Sequence, residues 1–124
     1  MRAEFSGTEG TSEPPTAARR ARGSEARLAG ELIALADGHG RLMEHRQQPW
    51  ASVTFSGTRH HLRLEFIGAD AIVGAERLIE ALPEHEFAIP RQLVADATVT
   101  AVEQTMLPEP RMTVQCELLL IDDA

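Results

Sequence analysis

The C-terminal third of the chain alternates between apolar and polar side chains, as half-buried β-strands require. Residues 95–101 place small apolar side chains at every second position, and residues 112–120 do the same with larger ones. Pro108 and Pro110 lie between the two stretches and cannot donate a backbone hydrogen bond to a ladder, so they mark a turn. The pattern predicts a long β-hairpin.

The end of this hairpin departs from the alternation. Leu119 and Ile121 add apolar side chains to the face that is otherwise polar, so this part of the strand is apolar on both faces. Apolar surface is stabilised when it is removed from water. We therefore expect a helix or a second subunit to cover it.

A shorter alternation follows Pro49 and predicts a first hairpin, with its turn near residues 56–58. One face of this hairpin is apolar except for His60, and the other is polar. The residues expected to face inward are Ala51, Val53, Phe55, His60, Leu62, Leu64 and Phe66, and those expected to face outward are Ser52, Thr54, His61, Arg63 and Glu65.

Two other stretches repeat apolar residues every three or four positions, which is typical of amphipathic helices. The first follows Ser24, a residue that can cap a helix, and is interrupted at residues 37–40; the second opens at Gly68 and is closed by Pro83. Residues 41–46 resemble a further helical turn more than a strand, because neither parity is consistently apolar. The predicted buried stripes are Leu28, Leu32 and Leu35 in the first helix and Ala71, Ile72, Ala75, Leu78, Ile79 and Leu82 in the second.

These elements predict an α+β fold in the order αββαββ. We expect a two-layer sandwich, in which two hairpins form a four-stranded, mainly antiparallel sheet and the helices pack on one face. A ferredoxin-like topology with its first strand moved to the C-terminus has the same order of elements. Residues 1–23 are rich in Ser, Gly, Thr, Pro and Ala and are predicted to be a disordered tail, which leaves residues 24–124 as a single domain.

Composition excludes several mechanisms. All 12 basic residues are Arg, and Lys, Tyr and Asn are absent, so no lysine can form a Schiff base or a phosphate-binding loop. The net charge of −7 argues against general nucleic-acid binding, and we interpret the cluster Arg19, Arg20 and Arg22 as part of a solvated tail. The single cysteine and the lack of a long apolar stretch favour a cytoplasmic protein, bacterial in type and without a membrane segment.

Five residues are candidates for a polar site: His61, Arg63, Glu65, Glu84 and His85. The first three share one strand face, where an ordinary solvated surface has the same composition, and we favour that explanation. Neither Glu84 nor His85 belongs to a recognised metal or catalytic motif. We predict no metal and no cofactor, and we leave a small-molecule ligand open.

Three further features of the sequence have explanations that involve no catalysis. Gly38, His39 and Gly40 lack the third glycine of a dinucleotide fingerprint and are expected to terminate the first helix. Cys116 lies on the apolar row of its strand, where burial raises the pKa of a thiol and makes it inert. Trp50 is expected either to anchor a partner or to pack across a helix end.

The sequence therefore specifies a scaffold rather than a reaction. We predict a small non-catalytic domain that acts by self-association or partner binding, with a homodimer as the expected form, because a long edge strand and a doubly apolar strand end both suit a subunit contact. The alternative is a ligand-binding domain or enzyme with a His, Glu and Arg site between the sheet and the helices.

Overall fold

The structure, a computed structural model, describes residues 16–122, with side chains from residue 25 onward. The predicted α+β class and the αββαββ order are confirmed. The elements are α1 (Thr16–Leu35), β1 (Arg41–Ala51), β2 (Ser56–Ile67), α2 (Ala69–Ala81), a 3₁₀ turn (Leu82–Glu84), β3 (Gln92–Thr105) and β4 (Arg111–Asp122).

The four strands form one antiparallel sheet in the order β1-β2-β4-β3. The two central strands, β2 and β4, are paired along almost their whole length, from Gly57 opposite Ile121 to Ile67 opposite Arg111. Strands β1 and β3 are the edges. Both helices pack on one face, here called the inner face, and the opposite, outer face has no described element over it. The permuted ferredoxin-like topology stays a prediction.

The core forms where the inner rows of the central strands meet the apolar stripes of the helices. Leu62, Leu64 and Phe66 of β2 are 0% exposed, as the alternation predicts. Burying a leucine side chain of this kind contributes about 2 kcal/mol. The remaining buried apolar residues are Leu28, Leu32 and Ala36 near α1, Ala71, Ile72, Ala75, Leu78 and Leu82 around α2, Ile89, and Met112, Val114, Cys116, Leu118 and Leu120 of β4.

Residues 37–40 end the first helix, as predicted. Gly38 and Gly40 have positive φ angles of 83° and 103°, which L side chains rarely adopt, and the Gly38 amide donates to the Ile33 carbonyl at 2.9 Å. At Gly40 a Cβ would lie 2.6 Å from the ring of Phe66, so the loop passes directly over a core side chain. This close approach explains why glycine is needed there.

The start of α1 differs from the prediction. The helix begins at Thr16, before Ser24, and so includes part of the segment expected to be disordered. Its first residues lack apolar periodicity, but they are mostly Ala and Arg, which have high helix propensity. The remainder of the predicted tail, residues 1–15, lies outside the described residues.

Residues 41–46 belong to strand β1, and their prediction as a helical turn is wrong. A β-bulge between Leu42 and Glu44 explains the error. The extra residue, Met43, shifts the parity of all that follows, so neither parity is uniformly apolar.

Both hairpins also differ from the prediction. The turn of the first hairpin lies at residues 52–55, not 56–58, and Val53 and Phe55 are 106% and 54% exposed rather than inward-facing. In β3, irregularities between Val94 and Asp96 and between Val99 and Ala101 change the predicted inner row. The observed inner row of β3 consists of Val94, Ala97, Val99 and Val102. These residues pair with Leu120, Leu118, Cys116 and Val114, which lie on the inner face of β4.

Candidate functional site

The outer face of the sheet holds three of the five candidate residues. Alternation along β2 places His61, Arg63 and Glu65 on this face, and each contacts a neighbouring strand. Glu65 accepts hydrogen bonds from Arg41 Nη2 at 3.0 Å and from Arg111 Nη1 at 3.2 Å. The Glu65 carboxylate thus joins three adjacent strands.

The other two candidates on this face are also paired. Arg63 Nε lies 3.5 Å from Glu44 Oε1, and the His61 imidazole donates from Nε2 to Gln115 Oε1 at 3.0 Å. Ion pairs as exposed as the Arg63 pair contribute at most about 1 kcal/mol each. These contacts orient the side chains without isolating them from water.

A shallow cavity of about 390 Å³ opens at the β1 side of this face. Arg59 Nη1 is 3.4 Å from Glu117 Oε1, and Arg46 pairs with Glu44 on its own strand at 3.1 Å. Guanidinium groups beside an imidazole can bind an anionic group through charge-assisted hydrogen bonds. The lining residues are Arg46, Gln47, Gln48, Arg59, His61 and Glu117.

Glu84 and His85 lie on the other side of the sheet, at and just after the 3₁₀ turn. His85 Nε2 donates to Glu31 Oε1 of α1 at 2.9 Å, and Glu31 Oε2 accepts the Ala88 amide at 3.0 Å. The His85 ring also contacts Phe87 edge-on, with centroids 4.5 Å apart. These contacts fasten the segment between α2 and β3 to α1, and the structure does not bring this pair together with His61, Arg63 and Glu65.

A pair of histidines that the sequence pattern did not single out lies at the inner face. His45 Nε2 and His60 Nδ1 are 2.8 Å apart, so one ring donates to the other. His60 is 0% exposed and belongs to the row that the pattern expects to face inward. Its Nε2 is, among the described side chains, a buried nitrogen without a hydrogen-bond partner. The bulge at Met43 hid this pair, because it puts His45 on the inner row beside His60.

Burial controls the protonation of both rings. Loss of hydration lowers the pKa of His60 from 6.5 to about 4. For His45, burial again is the main cause and repulsion from His60 the second, and together they lower the pKa to about 4. Both rings are therefore neutral near pH 7. Among the described residues, no group of three or more His, Cys, Asp or Glu side chains is arranged to hold a metal ion.

Cys116 is buried in the core, as predicted. It is 0% exposed, and burial raises the pKa of its thiol to about 12. A protonated, inaccessible thiol is not a nucleophile.

An apolar row crosses the outer face near the first hairpin turn. Backbone register places Trp50 beside Gly57, Gly57 beside Ile121, and Ile121 beside Leu93, so one row spans all four strands. Leu119 lies one step along β4 on the same face. Leu93 is 65% exposed, and the others are partly exposed. We call Trp50, Leu93, Leu119 and Ile121 the outer apolar row.

The outer apolar row contains Leu119 and Ile121, the two residues that the sequence analysis expected either a helix or a second subunit to cover. The helices do not cover Leu119 and Ile121, because both helices lie on the inner face. Trp50 likewise lies on the face away from the helices, rather than across a helix end. The sequence could predict that this surface exists, but only the strand order shows that it runs across the whole sheet.

Comparison with known proteins gives one structural likeness. No family model matches the chain, and no curated protein matches it. A chain from the virion of a native gene transfer agent particle has a similar fold, with a TM-score of 0.60 and 13% sequence identity over 82% of this chain and 96% of that one. At this identity the likeness establishes the fold alone. Within residues 16–122, no helix has both the length and the apolar character needed to cross a bilayer.

Proposed function

We propose that this protein is a non-catalytic unit that acts by self-association through the outer apolar row, with a homodimer as the simplest form. The observation that carries the proposal is the uncovered position of Leu93, Leu119 and Ile121 on the outer face. Contiguous apolar side chains on a water-facing sheet are characteristic of interaction surfaces. A second copy of the chain would remove them from water.

The structural likeness supports the same kind of role. The similar chain comes from a virion, which is a multi-subunit particle. A small α+β fold of this kind is therefore compatible with work as an assembly subunit. The contacts of His61, Arg63, Glu65 and His85 also support a non-catalytic role, because each side chain is engaged in a surface or fastening contact.

A second candidate function is the binding of a small anion at the cavity beside Arg46 and Arg59. The observation favouring it is the meeting of two guanidinium groups and the His61 imidazole around about 390 Å³ of space. This cavity lies on the outer face, not between the sheet and the helices. Titration with inorganic phosphate, followed by calorimetry, tests it: binding that Arg59→Gln abolishes supports a ligand site, and no heat at any concentration contradicts it.

The test of self-association is the molar mass of the purified chain, measured by size-exclusion chromatography with light scattering over a concentration series. We expect the mass of more than one copy at the highest soluble concentration. Leu93→Asp places a charge within the outer apolar row and should shift the protein towards the monomer. Val73→Asp is the matched control, since Val73 is also exposed, at 46%, but lies on α2 at the opposite side of the molecule.

Circular dichroism of each variant shows whether the fold is retained. A wild-type chain that stays monomeric throughout the series contradicts the proposed function. Equal effects of Leu93→Asp and Val73→Asp would show that self-association uses another surface.

A further inference from the structure

We infer that two copies pack outer face against outer face about a two-fold axis parallel to the strands, so that the β1–β2 half of each copy faces the β3–β4 half of the other. The inference rests on the proposed self-association and specifies its surface and orientation. Three properties of the outer face lead to it: its area, the position of the apolar row, and the distribution of charge.

The edge strands are less suitable for joining copies. Strand β3 is irregular between Val94 and Asp96 and again between Val99 and Ala101, and β1 combines a bulge after Leu42 with Pro49. Bulges and prolines interrupt the row of free backbone groups that a new strand would need, and they are common protection against edge pairing. The outer face is therefore the better surface for a second copy.

The area of the outer face matches that of a stable interface. Four strands at a spacing of about 4.8 Å, each rising about 3.3 Å per residue, give a face of about 19 Å by 40 Å for strands of this length. The product is roughly 760 Å², and standard interfaces bury about 800 Å² on each partner. One sheet face is sufficient without help from the loops.

The apolar row fixes the direction of the axis. It lies at one end of the face, by the first hairpin turn, whereas Arg41, Glu65 and Arg111 lie at the other end. A two-fold axis parallel to the strands stacks the row of one copy on the row of the other. An in-plane axis across the strands would instead place the row against the charged end, where apolar side chains would strip Arg41, Glu65 and Arg111 of water at a cost.

Charge is complementary in the same orientation. On the outer face, β1 and β2 carry four arginines and two glutamates, whereas β3 and β4 carry one arginine and three acidic residues. Rotation about an axis parallel to the strands brings the positive half of each copy over the negative half of its partner. The residues are Arg41, Glu44, Arg46, Arg59, Arg63 and Glu65 on the first half, and Asp96, Glu103, Arg111 and Glu117 on the second.

Arg46 of β1 and Asp96 of β3 provide a direct test. In this packing Arg46 of one copy lies over Thr98 of β3 in its partner, and Asp96 is one row further along that strand, within reach of the long arginine side chain. Within one chain the two residues are three strand spacings apart, about 14 Å. This exceeds the screening length of about 8 Å at physiological salt, so neither charge strongly affects the other within a monomer.

The experiment compares the dimer dissociation constants of single and double charge reversals by sedimentation equilibrium. Arg46→Glu and Asp96→Arg should each weaken the dimer by about tenfold, since each brings like charges into adjacent rows of the two copies, twice in the symmetric interface. The double variant R46E/D96R should return to within about threefold of wild type. An equimolar mixture of the two single variants should form the heterodimer with nearly wild-type affinity.

R46E combined with Glu109→Arg is the matched control, because Glu109 lies in the exposed turn between β3 and β4 and its reversal changes net charge equally. This control should not restore the dimer. A weakened R46E dimer that D96R fails to rescue overturns the proposed orientation while leaving self-association intact. Complexes larger than a dimer also overturn it, since they indicate an open contact between unlike edges. A monomeric wild-type chain removes the proposed function itself.

Discussion

Replacing His60 with leucine should make the protein more stable and less sensitive to acid. His60 lies in the row with Leu62 and Leu64 and is 0% exposed, yet its Nε2 has no hydrogen-bond partner. An unpaired buried polar atom costs about 1–3 kcal/mol. Leucine fills a similar volume and removes this cost, although it also removes the 2.8 Å hydrogen bond to His45, whose ring is partly exposed. The expected net gain at pH 7 is about 1 kcal/mol.

The acid response follows from the pKa values. The pKa of His45 and the pKa of His60 are both lowered to about 4 in the folded protein, from 6.5 when unfolded. Between these pH values the unfolded chain binds protons that the folded protein excludes, so the free energy of unfolding decreases as the pH falls through this window. Above it, these two groups contribute no slope. For the fully buried His60 ring, a lowering of this size corresponds to about 3 kcal/mol.

The assay is urea denaturation followed by circular dichroism, repeated from pH 7 down to pH 4. Carboxylates also titrate in this range, so the informative quantity is the difference between His60→Leu and wild type. That difference should grow by about 3 kcal/mol from pH 6.5 to pH 4. Val73→Ala, an exposed substitution on α2 that removes no titratable group, is the control and should follow the wild-type slope. A His60→Leu variant that is less stable at pH 7, or that keeps the full acid slope, would refute the reasoning.

Three further predictions concern packing and reactivity. Gly74→Ala should lower the free energy of unfolding by about 1–3 kcal/mol, because a Cβ there collides with the Ala36 carbonyl oxygen. Gly30→Ala should instead raise the free energy of unfolding by about 0.5–1 kcal/mol, because a Cβ there meets nothing within 4 Å. Urea denaturation measures both, and a stabilised Gly74→Ala would contradict the close helix contact. Glu31→Gln should lower the free energy of unfolding by about 1 kcal/mol in the same assay. The glutamine is a weaker acceptor than the carboxylate for the His85 imidazole and the Ala88 amide. Cys116 should resist iodoacetamide in the native protein and react fully in urea, as read by mass spectrometry; rapid native alkylation would show that the core is open.

The elements that the sequence predicted well are those with uninterrupted periodicity. The inner row of β2 and the stripe of α2 were readable because each repeats its period without an inserted residue. β1 was misassigned, and the predicted rows of β3 were shifted, because bulges after Leu42, Val94 and Val99 add one residue each. No glycine or proline marks these points, so the chain carries no local signal for them.

The candidate site likewise combines residues that local periodicity places correctly with residues whose position depends on distant parts of the chain. Alternation correctly placed His61, Arg63 and Glu65 on a shared face, and strand register then determines their partners on β1 and β4. The burial of His60 depends on His45 and on the packing of α1, and neither relation is local in sequence. The outer apolar row was only partly visible, since it combines residues from distant strands whose order the pattern did not specify.

The position of Trp50 makes the proposed assembly observable without a label. It is the one tryptophan of the chain and belongs to the outer apolar row, and the chain has no tyrosine to obscure its emission. Stacking two rows would exclude water from the indole, so its fluorescence maximum should move to shorter wavelength as copies join. A simple dilution series in a fluorimeter thereby becomes an association isotherm for the native protein.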